Sequence, residues 1–196
     1  MRFRAILGLM MAVMLSACGL NSVPTAEETV KARWADVQAD YQRRANLIPN
    51  LVNTVKGAAS SERDILTDVM NARARATSVQ ISAEDLNDPA KVQQYQAAQD
   101  RLGSSLGRLL ATAEAYPELQ SQRAFQTLMH DIEGSENRIA IAIRDYNQAV
   151  QEYNTTIRTF PDAIGAKVFY GAKPKVPFQA KAGAEDAPTV DFGNTN

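Results

Sequence analysis

The chain holds one histidine, His130, and one cysteine, Cys18. A Ser-His-Asp triad needs a histidine buried beside a serine, and a di-iron helical bundle needs two Glu-x-x-His pairs. Position 127, three before His130, is threonine, and there is no second histidine. His130 also falls off the apolar face marked by Met129 and Ile132, so it is expected in solvent without a catalytic or metal-binding role. Asp85, Asn87 and Asp88 group oxygen ligands in one loop but lack the glycine and distal glutamate of an EF-hand, and cap and turn chemistry accounts for them. Gly103 and Gly107 lie inside a helical pattern, so they make no phosphate-binding loop. These residues supply no catalytic set, no metal site and no cofactor site, and the chain is read as a non-enzyme.

Cys18 carries a different chemistry. Arg2 and Arg4 precede an uncharged apolar stretch, Ala5 to Leu15, followed by Ser16, Ala17 and Cys18. The stretch is well short of the about 20 apolar residues a membrane span needs, and it suits a secretory signal. Leu15-Ser16-Ala17-Cys18 resembles a bacterial lipobox, where cleavage leaves the cysteine as an acylated N-terminus. Residues 1–17 are then a signal peptide and 18–26 a lipid-anchored tether. An ordinary signal peptide and an uncleaved anchor over 5–20 are the alternatives. Cleavage at Cys18 removes both Arg2 and Arg4 and leaves 19 basic against 22 acidic residues. The acylated chain has no thiol, which excludes disulfides and thiol catalysis. The whole chain, with 21 basic and 22 acidic residues, lacks the basic surplus of a nucleic-acid binder. Gly19 stands where an aspartate usually retains Gram-negative lipoproteins in the inner membrane. That resemblance implies the outer membrane, facing the periplasm; an uncleaved helix would imply the inner one.

The remaining polar candidates sit on apolar seams. Heptad stepping puts Glu136 on a helical seam, where an unpaired charge is costly. It is expected to pair with an arginine of a neighbouring helix, Arg44 or Arg73, with a ligand-binding role as the alternative. Asn147 and Asn154 flank seam tyrosines at heptad spacing; they bond neighbouring structure or hold an extended polar partner. Arg43 and Arg44 suit the last turn of a helix, where the dipole favours cations, and could also contact lipid phosphates.

The elements that position these residues follow from the prolines at 24, 49, 89, 117, 161, 174, 177 and 188, which leave four long proline-free runs. A first helix is predicted over 27–45, with Val30, Trp34, Val37 and Tyr41 as its apolar stripe. A second is predicted over 47–78, with Asn46 as N-cap and Pro49 in its first turn. One helix running through Pro49 is the alternative. The second helix carries a core face of Leu51, Val52, Val55, Ala59, Leu66, Val69 and Met70, interrupted by a bend at Gly57, Ser60 and Ser61. The third, 89–115, starts at Pro89 after the N-cap Asp88, and its seam Val92, Tyr95, Gln99, Leu102, Leu106, Leu109, Ala113 has one polar gap. Gly103 and Gly107 beside that seam are expected to allow close helix approach. The fourth, 118–160, is about 65 Å long, more than twice the first helix, and carries a seam from Phe125 to Phe160. Its far end must be covered, and the apolar residues Ile164, Val168, Phe169, Tyr170, Val176 and Phe178 predict that 161–178 packs back as extended chain. Beyond Gln179 small and acidic residues predict disorder. The expected fold is all-α: an antiparallel four-helix bundle over 27–160 with an extended C-terminal segment.

The run Tyr41-Gln42-Arg43-Arg44-Ala45-Asn46-Leu47-Ile48-Pro49-Asn50-Leu51-Val52 resembles the signature of the LemA family. Ala115-Tyr116-Pro117-Glu118-Leu119, Glu136-Asn137-Arg138-Ile139, the doublets Tyr146-Asn147 and Tyr153-Asn154, and Phe160-Pro161 fit the same family in order. The chain differs at Asn46, often aspartate in the family, and at Ser61, often histidine. The resemblance implies an antiparallel four-helix bundle, usually tethered by an N-terminal transmembrane helix and held outside the cytoplasm, with no established enzymatic activity. A lipid-anchored envelope protein acting as a helical interaction module is therefore expected, its partner being another envelope protein or a second copy. The alternative is an envelope bundle holding a lipid or cell-wall fragment between its helices or under 161–178, which an apolar cavity near Gly103 and Gly107 would favour.

Overall fold

The computed structural model describes residues 21–58 and 62–179. These residues are all-α, with no strand among them. Six α-helices follow in order: α1 (Ser22–Ala58), α2 (Arg63–Ser78), α3 (Pro89–Ala113), α4 (Pro117–Gln120), α5 (Arg123–Thr156) and α6 (Asp162–Val168), with a 3-10 turn at Ala83–Asn87 before α3. Residues 171–179 then run as extended chain. The signal peptide, Cys18, the bend residues Ser60 and Ser61, and the tail from 180 onward lie outside the described residues.

The first two predicted helices are divided elsewhere than expected. α1 begins at Ser22, so residues 22–26 are helix rather than tether. Pro24 fits the opening turn, and Val23 is buried in the core. The helix then passes through Pro49 and ends at Ala58. Asn46, expected to cap a new helix, is an exposed mid-helix residue accepting from Gln42 Nε2 at 2.8 Å. Proline at 49 has no amide to give the carbonyl of Ala45, four residues back. Arg73 of α2 supplies the missing donor: its Nε lies 2.7 Å from Ala45 O. A long-range hydrogen bond thus replaces the lost helical one, and the helix runs on to Ala58.

The third predicted helix forms nearly as read. Asp88 accepts from the amides of Ala90 (2.9 Å) and Lys91 (3.4 Å), and the whole seam from Val92 to Ala113 is buried. Gly103 and Gly107 do not permit a close approach, however. A Cβ on Gly103 would meet Arg44 Nη1 at an ordinary 3.6 Å, and one on Gly107 would face open space.

The fourth predicted helix is split. Leu119, fully buried, anchors the short α4, and the chain turns at Ser121 and Gln122 before α5 starts. Ser135, Ala142 and Ala149 are buried beside Ile132, Ile139, Tyr146 and Tyr153, placing the seam partly one residue earlier than read. α5 stops at Thr156, so the heptad phase is lost and Phe160 is 82% exposed instead of in the core. Residues 162–168, expected extended, form α6. Gly171 at φ +54° then reverses the chain, and Ala172 N donates to Ala166 O at 2.9 Å.

The core divides into two clusters. One joins the first half of α1, the start of α3, the second half of α5 and the extended segment, around Trp34, Tyr95, Tyr146 and Phe178. The other joins the second half of α1 with α2, the rest of α3, α4 and the start of α5, around Ile48, Leu51, Leu102, Leu109 and Leu119. Contacts of α1 with α5 and α6 run in opposite order, Ser22 with Asp162 of α6, then Asp40 with Arg138 and Arg44 with Glu136 of α5.

Candidate functional site

Two features gather the polar residues that the sequence singles out. The first is a polar layer between the two core clusters. Arg44 and Gln99 are both buried there. Arg44 Nη1 donates to Glu136 Oε1 at 2.9 Å and Oε2 at 3.3 Å, and Nη2 donates to Gln99 O and Oε1, each at 3.1 Å. Gln99 Nε2 donates to Ala76 O at 3.2 Å, and the guanidinium lies 5.0 Å from the centre of the Tyr41 ring. One arginine thus ties α1, α3 and α5 together, and Gln99 extends the tie to α2.

The burial is the reverse of that expected. The Arg44 side chain is 4% exposed, whereas Glu136 is 46% exposed at the rim. Because α1 continues to Ala58, Arg43 and Arg44 are not at a helix end, and the dipole does not account for them. Arg43 points to solvent. Arg73, the other candidate partner of Glu136, serves Ala45 instead. A cleft of about 370 Å³ opens over this layer, lined by Arg44, Gln99, Gly103, Glu136 and Ile143. It is open to solvent and mixed in lining, with Ile139, Ala140 and Ile143 beside Arg44, Gln99 and Glu136, rather than the enclosed apolar cavity that a lipid-binding bundle would need.

The second feature is the extended segment, a strap across α5. Asn154 Nδ2 donates to Lys175 O at 2.9 Å while its Oδ1 accepts from Lys175 N at 2.8 Å. Asn147 does the same with Phe178, at 3.0 and 2.8 Å. The register is geometric. Seven residues of helix rise about 10.5 Å, and three residues of extended chain span about 10 Å. Two asparagines a heptad apart therefore read the backbone of two strap residues three apart. Tyr146 Oη donates to Val176 O at 2.8 Å, and Val176 N donates to Leu86 O, also at 2.8 Å. These bonds seat Phe178 against Trp34, Tyr95 and Tyr146, with ring centres 5.6–6.5 Å apart. Trp34 and Tyr95 meet edge to face at 5.2 Å.

Burial in this cluster raises the Tyr95 hydroxyl to about 12 and pushes Tyr41 and Tyr146 up further. Among the described residues, Trp34 Nε1 and Arg44 Nε are buried without a hydrogen-bond partner. Leaving such a donor unpaired costs about 1–3 kcal/mol, which the surrounding burial must offset.

The remaining candidates lie apart. His130 is exposed in a depression with Phe125, Met129 and Glu133. Asp85 accepts from Ser82 and Lys91, and the Lys91 ammonium lowers its carboxyl to about 2. Asp88 is a helix cap. Among the described residues, no group of histidine, cysteine and carboxylate side chains could hold a metal ion. Sequence reasoning missed Lys175, which is buried between Glu27 Oε1 at 3.2 Å and the Tyr153 ring at 5.9 Å. A lysine between Pro174 and Val176 in a presumed surface stretch carries no local signal of burial. It also missed the Arg73 bond to Ala45 O, for which proline inside a helix was the available clue.

The described residues thus form an all-α protein with a polar inter-helix layer and an asparagine-held strap. The chain belongs to the LemA family, whose sequence model matches residues 33–192. It is 28% identical over 157 residues to magnetosome protein MamQ 2 of Paramagnetospirillum magneticum, covering 72% of this chain and 58% of that one. MamQ of Magnetospirillum gryphiswaldense is 26% identical over the same shares. Protein LemA of Metamycoplasma hominis is 23% identical over 124 residues, covering 63% of this chain and 52% of its own. The chain thus spans little more than half the length of these curated relatives.

Proposed function

We propose that this LemA-family chain is a lipid-anchored cell-envelope protein, acylated at Cys18 and working as a non-enzymatic, helical protein-interaction module. The observation that carries the reading is the seating of the strap. Phe178 fills the aromatic space between α1, α3 and α5, where a bundle that holds a ligand would keep room for one. Asn147 and Asn154, the residues best placed to grip an extended peptide, already grip the chain's own backbone. In the polar layer, too, the Arg44 Nη atoms are bonded within the chain, to Gln99 and Glu136. The outer helix faces are then the surfaces available to a partner, either another envelope protein or a second copy. The opposed order of contacts along α1 and α5 supports an antiparallel four-helix bundle of α1, α2, α3 and α5.

No helix among the described residues is long and apolar enough to cross a membrane. The lipobox-like Leu15-Ser16-Ala17-Cys18 supplies the anchor in this reading, and Gly19 directs it to the outer membrane. Crosslinking in cells followed by purification tests the function. The expected result is one defined envelope partner or a discrete dimer, lost with Cys18→Ser. Recovery of uncrosslinked monomer alone refutes it.

A further inference from the structure

α6 is amphipathic the wrong way round for a core helix. Its small residues Gly165 and Ala166 are buried, while Ile164, Val168 and Phe169 are 56%, 67% and 68% exposed. Phe160 beside it is exposed too. A helix that served only the core would turn these large side chains inward. Clustered apolar groups of this kind on a water-soluble surface mark a contact site. Arg158, Lys167 and Lys173, close to these residues in sequence, are also exposed.

The position of α6 selects the occupant. Ser22 Oγ is hydrogen-bonded to the Asp162 carboxylate, which fixes the start of α6 beside the start of α1. Cys18 is four residues before Ser22, a reach of at most about 14 Å in fully extended chain. An acyl anchor on Cys18 therefore holds this end of the molecule against the bilayer. Exposed phenylalanine and aliphatic side chains with lysine and arginine close by in sequence are what the zone between headgroups and acyl chains accepts. These exposed cations complement anionic headgroups. Within the chain itself, residues 180–196 match the patch poorly. Val190 and Phe192 are their large apolar residues, amid small and acidic ones.

We propose that Phe160, Ile164, Val168 and Phe169 form a second membrane contact, entering the interface of the bilayer that holds Cys18 and fixing the orientation of the helices relative to it. This rests on the lipid-anchored reading, but its test separates the two. The full chain, purified from membranes, is placed in phosphatidylethanolamine–phosphatidylglycerol vesicles, with and without lipids brominated near the top of the acyl chain. Phe169→Trp adds an indole at the patch, and the buried Trp34 is the internal reference.

Brominated lipid is expected to remove at least about half of the added emission, since an interfacial side chain lies 5–10 Å into the boundary. An indole introduced by Gln126→Trp, about 45 Å along α5 from Thr156, keeps its emission. Adding Ile164→Ser and Val168→Ser to Phe169→Trp reduces the quenching. A chain that floats with the vesicles but shows no quenching at position 169 overturns the contact and leaves the anchor standing. A chain that does not float overturns both. Emission at 169 that depends on protein concentration but not on brominated lipid assigns the patch to a second copy, and also overturns the proposal.

Discussion

Glu136→Ala removes the exposed half of an ion pair whose other half is buried. Arg44 keeps its two bonds to Gln99 but loses the carboxylate that balances its charge. Stranding one member of a fully buried pair costs about 3–5 kcal/mol, while separating an exposed pair costs about 0–1 kcal/mol. The 46% exposure of Glu136 lets water replace part of what it supplied, so the loss falls between these limits, at about 2 kcal/mol. For a chain of this size that lowers Tm by about 4–8 °C. Arg44→Met reverses the situation: the cation is gone, and Glu136 relaxes into solvent. In that background Glu136→Ala should cost within about 0.5 kcal/mol of nothing. Thermal unfolding followed by far-ultraviolet circular dichroism on the four proteins of this cycle measures the coupling. An unchanged Tm for Glu136→Ala, or the same loss in both backgrounds, refutes the buried-cation layer.

The strap offers a local test. Asn147→Ala deletes both bonds to Phe178, about 2 kcal/mol together, so the Phe178 amide should exchange its hydrogen about 30-fold faster while amides in the middle of α3 do not change. Unaltered exchange at Phe178 would contradict the clamp. Arg73→Ala strands the buried Ala45 carbonyl and should cost about 1–3 kcal/mol. In a Pro49→Ala background the restored amide takes over and most of the cost should vanish, whereas an equal loss in both backgrounds would remove Arg73 from its capping role. Burial raises Tyr41, Tyr95, Tyr146 and Tyr153 above the ordinary tyrosine value, so the folded chain holds protons that the unfolded chain releases near pH 10. Their contribution to stability is whole below that pH and is lost as pH rises from about 10 through 12. Tyrosinate absorbance from these four should therefore rise together with loss of helix; ionisation of the folded protein would count against their burial.

The seams were the most legible part of this sequence. Val30, Trp34, Val37 and Tyr41, and every seam position from Val92 to Ala113, are buried because a three-four stepping leaves a helix one face to hide. The polar gap at Gln99 is where Arg44 enters, so the break in the pattern was itself a signal. What could not be read locally depends on distant groups. Pro49 stays within a helix because Arg73 reaches across from α2. Which member of the Arg44–Glu136 pair is buried depends on the packing of α1 against α5, which heptad phase alone does not set. Val176 and Phe178 were recognised as apolar, and so were Ile164, Val168 and Phe169. Hydrophobicity does not distinguish the first group, which enters the core, from the second, which the short α6 turns outward.

In the proposed function the chain is tethered through Cys18 and its interior is occupied by its own strap. Native mass spectrometry of protein extracted from membranes in detergent tests both halves at once. The predicted mass is that of a chain beginning at Cys18 and carrying acyl groups, with no further small molecule retained under gentle activation. A chain of 21.4 kDa that keeps Met1 and has no acyl groups, or an acylated chain that carries a noncovalent lipid or cell-wall fragment, would contradict it.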